Sequence, residues 1–187
     1  MAVPTFRRRR LLRNDWEGDD FTPGAGGAYV TCMDTAVGRM VAYATNGRVD
    51  KDGKVYRANV IPPDPNGVNF LQMESAIKRV NPHLELEYHT GWTKAQITAW
   101  LKAGKGLVLV GKYDTIPRAY RYQASATFAH AMFVSHMNRQ GTAVRLWDPL
   151  NPDTDGYGKH VPASIIWPFI ASIGWYCGYV PLHPLHL

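Results

Sequence analysis

A cysteine at the start of a predicted helix is the first group in this sequence that could act as a nucleophile. Cys32 follows a glycine-rich stretch at residues 22–27, where an apolar spacing typical of a helix begins at Thr31 and continues to about Thr45. The amides of a first helical turn are unpaired and lie at the positive end of the helix dipole, which favours a thiolate there. Cys32 is therefore a candidate nucleophile, although a cysteine near a helix start is commonly a small buried residue.

A thiolate nucleophile needs a general base, and the histidines in strand patterns are the best candidates. Residues 128–137 predict a strand that contains His130 and His136. A second strand follows at residues 143–148 and ends at Asp148, a carboxylate that could orient an imidazole. An unbroken strand would place His136 on the same face as His130 but far along it, so we expect His136 to be structural.

The register of the hairpin decides whether His130 and Asp148 can meet. A two-residue turn at residues 139–140 would place the two side chains on opposite faces, and Arg-Gln suits such a turn poorly. A three-residue turn that ends at Gly141 would place Met132 opposite Asp148, with His130 as a diagonal neighbour on the same face. The glycine favours this register, so Cys32, His130 and Asp148 are the predicted catalytic residues.

The other predicted elements indicate an α+β domain, because helices come early in the chain and strands late. The capping residues Asn69 and Thr93 predict helices over residues 70–80 and from Thr93 to Leu101. Strands are expected at 84–88, 106–112, 128–137, 143–148 and 174–180, with a short helix starting near Ser164. Cys177 lies in the last strand and is expected to be core.

These residues and their order resemble the papain-like cysteine peptidases, and more specifically the bacteriocin-processing, double-glycine-peptidase-like branch. The resemblance rests on the Cys32 helix, the strand pattern from Gly104 to Val110, the His130-Ala131 strand and the Asp148-Pro149 strand. It implies a papain-like α+β fold in which the Cys32 helix packs on an antiparallel sheet. It also implies acyl-enzyme chemistry on a peptide. No cofactor is expected, and no CxxC or His-rich spacing indicates a metal site.

This sequence departs from the family pattern before the cysteine. The family usually places a glutamine about six residues earlier to help bind the oxyanion, and Gly26 stands there. Loss of one oxyanion donor typically costs about 10²–10³ in rate. Asn14, Asp19 and Asp20 could lie nearby, but carboxylates are poor oxyanion donors. An active peptidase and a retired peptidase fold therefore both remain open.

Basic charge is concentrated at the beginning of the chain. Five of the 21 basic residues are Arg7, Arg8, Arg9, Arg10 and Arg13, and no acid precedes Asp15. The remaining 16 basic and 15 acidic residues give a balance of +1, so the charge belongs to an arm. We expect residues 1–20 to form an arm and entry segment that binds a partner, and residues 21–187 to form the peptidase-type domain. A solvated tail is the alternative.

Two functions from different classes fit these observations. The first is a cysteine peptidase or amidase acting on peptide or peptidoglycan bonds, in the setting of a bacteriophage tail tip. The second is a structural virion component that keeps the fold and docks onto other virion subunits through the arginines. The sequence shows no signal peptide, no membrane span and no nucleic-acid-reading module. The expected location is the virion if the protein is phage-derived, and otherwise the cytoplasm.

Overall fold

The computed structural model describes residues 31–45, 47–49, 53–63, 67–150 and 159–181. Within these ranges the helices are α1 (Cys32–Ala44), α2 (Gly53–Arg57), α3 (Phe70–Val80), α4 (Lys94–Lys102) and α5 (Ile166–Ala171). The strands are β1 (Glu87–His89), β2 (Leu107–Lys112), β3 (Ala129–Met137), β4 (Ala143–Trp147), β5 (Lys159–Pro162) and β6 (Cys177–Tyr179).

The sheet has six antiparallel strands in the order β1-β6-β2-β3-β4-β5. β2 and β3 are its central pair and are buried almost throughout, because helices pack over them. The predicted α+β class, with the Cys32 helix packed on an antiparallel sheet, is therefore confirmed.

Helix α1 is the central helix of the fold. Every residue from Met33 to Ala42 is buried, and the helix packs on β3 and against α2. A helix buried on all sides is set in place by its surroundings rather than by its own propensity. Its first residue, Cys32, is only partly buried. The fold therefore holds the helix from all sides while leaving Cys32 partly accessible at its start.

The two predicted capping residues begin their helices as expected. Asn69 accepts a hydrogen bond from the backbone amide of Gln72, whose side chain accepts one from the amide of Asn69. Thr93 and Gln96 form the same reciprocal capping box at the start of α4. Each capping box satisfies amides that the first helical turn leaves unpaired.

Helix α2 and strand β5 were not predicted from the sequence, and two predicted strands are shorter than expected. β1 begins at Glu87 rather than at residue 84, and β6 spans Cys177–Tyr179 rather than residues 174–180. Helix α2 begins at Gly53. A Cβ on this glycine would lie 2.7 Å from the backbone nitrogen of Thr35, so only glycine permits the close packing of α2 on α1. Strand β5 was not predicted, because four residues that end in Pro162 are too short for a clear alternation. Proline suits this strand because β5 lies at the edge of the sheet.

Gly111 in β2 is a second position where packing requires glycine. A Cβ there would lie 2.1 Å from the carbonyl oxygen of Phe169 in α5. We expect Gly111→Ala to lower the free energy of unfolding by about 3 kcal/mol, because α5 must move off the sheet. Urea denaturation measures the change. Gly174→Ala is the control, since Gly174 has a φ of 84° and no atom within 4 Å of an added Cβ. That control should cost only about 1 kcal/mol, and an equal cost for both variants would contradict the packing argument.

None of the helices in the described part of the chain is both long and apolar enough to cross a lipid bilayer.

Candidate active site

The start of α1 presents Cys32 at a helix terminus. The first intrahelical hydrogen bond runs from the Thr35 amide to the Thr31 carbonyl oxygen, so the amides before Thr35 have no acceptor within the helix. The Thr31 side chain makes no capping hydrogen bond. The thiol thus lies at the positive end of the helix dipole, next to amides that have no acceptor within the helix itself.

At the site, the β3–β4 hairpin has the register that the sequence favoured. Phe133 pairs with Trp147, and continuing this register by one position sets Asp148 across from Met132. His130, two residues before Met132, is then a diagonal neighbour of Asp148 on the same face.

The route to this register differs from the prediction. A three-residue turn ending at Gly141 was expected, but the Asn138 amide donates to the carbonyl oxygen of Ala143, which leaves a four-residue connection at 139–142. The register shifts by one residue at a bulge next to Ser135, between the turn and the site. The extra residue in the strand cancels the extra residue in the turn.

The bulge also changes the position of His136. This residue pairs with Arg145, which alternation places on the face opposite to His130, so the expectation that the two histidines share a face was wrong. The His136 ring lies 6.3 Å from the ring of His160. Burial, with the charges of Arg145 and His160, lowers the pKa of His136.

His130 and Asp148 form a buried ion pair. The Nε2 atom of His130 donates to Oδ1 of Asp148 at 2.7 Å, and both side chains are almost fully buried. The same Oδ1 atom accepts a hydrogen bond from the Leu150 amide at 2.9 Å, and Oδ2 accepts one from the Tyr113 hydroxyl at 2.7 Å. The carboxylate is therefore held at both oxygens, and it fixes the orientation of the imidazole ring.

The other ring nitrogen of His130 is the one left for Cys32. Nδ1 is buried and has no well-aligned hydrogen-bond partner among the described residues, but Cys32 is close enough to interact with the ring. Burial opposes the imidazolium charge, yet the Asp148 carboxylate, assisted by Cys32, outweighs burial and raises the pKa of His130 to about 10. The structure thus brings Cys32, His130 and Asp148 together.

Tyr113 is a site residue that the sequence analysis missed. Its ring meets the His130 ring edge-on at 4.9 Å, and Phe128 lies 6.1 Å from the same imidazole. Burial, and then the charge of Asp148, raise the pKa of Tyr113, so its hydroxyl keeps its proton and remains a donor. Tyr113 follows Gly111 by two residues, and Gly111 pairs with His130. The alternation of side chains along β2 could have indicated that Tyr113 lies near His130, but only if the register between β2 and β3 had been known.

Other predicted site residues lie outside the described residues. These are Gly26, at the expected oxyanion position, the neighbouring candidates Asn14, Asp19 and Asp20, and the arm residues Arg7, Arg8, Arg9, Arg10 and Arg13. The boundary expected between residues 20 and 21 also falls there. Within the described ranges, no group of three or more His, Cys, Asp or Glu side chains is arranged to hold a metal ion.

Comparison with known proteins finds similarity among solved structures. No family model and no curated protein matches the sequence. Among solved structures, the chain is similar to one from Bacillus anthracis described as a "putative C39-like peptidase". The TM-score is 0.58 at 14% sequence identity, and the match covers 82% of this chain and 89% of that one. This chain has a C39-like peptidase fold.

Proposed function

We propose that this chain is a cysteine peptidase or amidase in which Cys32 attacks a peptide carbonyl, His130 transfers protons and Asp148 holds the imidazole. The observation that carries the proposal is the buried His130–Asp148 pair, with Cys32 at the start of α1 close enough to interact with the imidazole ring. The C39-like peptidase fold supports the same reading of these residues.

The proposed reaction proceeds through a covalent acyl-enzyme. The Cys32 thiolate attacks the carbonyl carbon, and the amides of Cys32 and Met33, which have no acceptor within α1, offer donors to the oxyanion that forms. His130 then donates its Nδ1 proton to the leaving amine as the C–N bond breaks, which leaves a thioester on Cys32. His130 next takes a proton from a water molecule that attacks the thioester. Collapse of this second intermediate releases the acid and restores the thiolate–imidazolium pair.

The proposed setting is a bacteriophage tail tip, with peptide or cell-wall peptide bonds as substrates. Its support is the sequence: a near-neutral body with an arm of five arginines that could dock onto neighbouring virion subunits. The virion is accordingly the proposed location, with the cytoplasm as the alternative for a protein of another origin. Arm docking should weaken as salt concentration rises, because it depends on charge.

The second candidate is a structural component that keeps the fold without the activity. The observation that favours it is Gly26, which stands where the family usually places the oxyanion-binding glutamine. This candidate predicts an inert Cys32 thiol, whereas the peptidase predicts an activated one. Thiol reactivity therefore separates the two.

Alkylation with iodoacetamide at pH 6 tests the proposal. Peptide mapping measures the rate of modification at each of the two cysteines. Burial raises the pKa of Cys177 to about 12, so Cys177 is an internal control that should stay unmodified in the folded protein. Cys32 should react at least tenfold faster than Cys177, and His130→Ala should remove most of that difference. Equal and slow labelling of both cysteines in the wild type would support the structural candidate.

A further inference from the structure

We propose that Tyr113 is a positioning residue, which acts on the reaction through Asp148. The inference rests on the proposed function, since Asp148 matters only if His130 serves Cys32. It concerns a phenol whose hydroxyl donates to Asp148 and accepts from the Tyr122 amide. Its basis is the pattern of hydrogen bonds around one carboxylate and one hydroxyl.

The two oxygens of Asp148 have different partners. Oδ1 accepts hydrogen bonds from His130 and from the Leu150 amide. Among the described side chains, Tyr113 is the donor to Oδ2. A buried carboxylate oxygen without a donor is costly, and a carboxylate held on one side is free to turn about its χ2 bond. Tyr113 therefore fixes the plane of the carboxylate, and through it the direction of the Nε2–H bond of His130.

The hydroxyl of Tyr113 is itself held in place. It accepts a hydrogen bond from the Tyr122 amide at 3.0 Å while it donates to Asp148. The Tyr113 amide donates to the carbonyl oxygen of Phe128 at 3.1 Å, and the rings of these two residues stack at 6.3 Å. Tyr113, at the start of the β2–β3 connection, thus contacts both Phe128 at its end and the Asp148 carboxylate. The orientation of Asp148 depends on this connection as well as on the β3–β4 hairpin.

Tyr113→Phe removes the hydroxyl and keeps the ring. We expect this variant to slow Cys32 alkylation at pH 6 about tenfold, the size of effect typical for one hydrogen bond to a charged group. In peptide hydrolysis the loss should fall on kcat and leave KM nearly unchanged. The matched control is Tyr43→Phe, which removes a phenol that donates to the Gly104 carbonyl oxygen at 2.9 Å, at the far end of α1. The control should alkylate at the wild-type rate.

A double-mutant cycle distinguishes positioning through Asp148 from a general structural role. In an Asp148→Asn background, Tyr113→Phe should cause no further loss of alkylation rate, because its route to Cys32 is already broken. An equal loss in both backgrounds, or no loss in the wild-type background, would overturn the proposal. If Tyr113→Phe does not fold, Tyr113 can be replaced with fluorotyrosine, which has nearly the same shape and a more acidic phenol. The pH profile of alkylation should then shift, and an unchanged profile would overturn the inference.

The same data separate this inference from the proposed function. If wild-type Cys32 is no more reactive than it is in His130→Ala, the peptidase proposal fails regardless of Tyr113. If wild-type Cys32 is activated and Tyr113→Phe matches the wild type, only the positioning role fails.

Discussion

Replacement of Cys32 with alanine is expected to lower the rate of peptide hydrolysis by about 10⁴-fold or more, because the acyl-enzyme route is lost with the thiol. The thermal unfolding temperature should change little, since Cys32 is only partly buried at the first turn of α1. Hydrolysis of a fluorogenic peptide library, with purified peptidoglycan as a second substrate, measures the effect. Single-turnover experiments would show the missing thioester directly.

Cys177→Ala is the matched control for this prediction. Cys177 is fully buried in β6, which is separated from β3 by β2, and it pairs with Leu109 and His89. Its loss should lower stability modestly and leave kcat close to that of the wild type. Activity that survives Cys32→Ala, or that disappears with Cys177→Ala in a folded protein, would contradict Cys32 as the nucleophile.

Replacement of Asp148 with alanine is expected to lower the free energy of unfolding by about 3–5 kcal/mol, the usual cost of removing one partner from a buried ion pair. The change leaves the His130 imidazolium, the Tyr113 hydroxyl and the Leu150 amide without their acceptor. Asp148→Asn is the milder comparison, because it keeps the shape and removes the charge. Urea denaturation at pH 6 measures all three proteins.

The pH dependence of stability gives a second readout for the same pair. The folded-state pKa of His130 is raised to about 10, above the ordinary histidine value of about 6.5. Between these values the folded state binds the proton and the unfolded state does not, so the slope of stability against pH is negative. The contribution of the pair is complete below about pH 6.5 and is lost as the pH rises towards 10. Asp148→Asn should flatten this slope, and a wild-type stability that rises with pH over this range would contradict the ion pair.

Local sequence signals identified the helices and strands that hold the site. Asn69 and Thr93 carry their own capping chemistry, so the starts of α3 and α4 depend on residues within one helical turn. The buried strands β2 and β3 show continuous apolar runs. Elements without such signals were missed: α2 has five residues, and its glycine is required by packing against α1 rather than by any local pattern.

By itself, the sequence determined the order Cys32, His130, Asp148 and the elements that carry them, because residue type, capping and apolar periodicity are local properties. Tertiary structure alone decided how these elements meet. The four-residue turn and the bulge at Ser135 compensate each other, and the bulge moves His136 to the other face of the sheet. Tyr113 reaches Asp148 only because β2 pairs with β3 in one register. Register and side-chain contact depend on how separate strands pair, and a one-residue slip reverses every face.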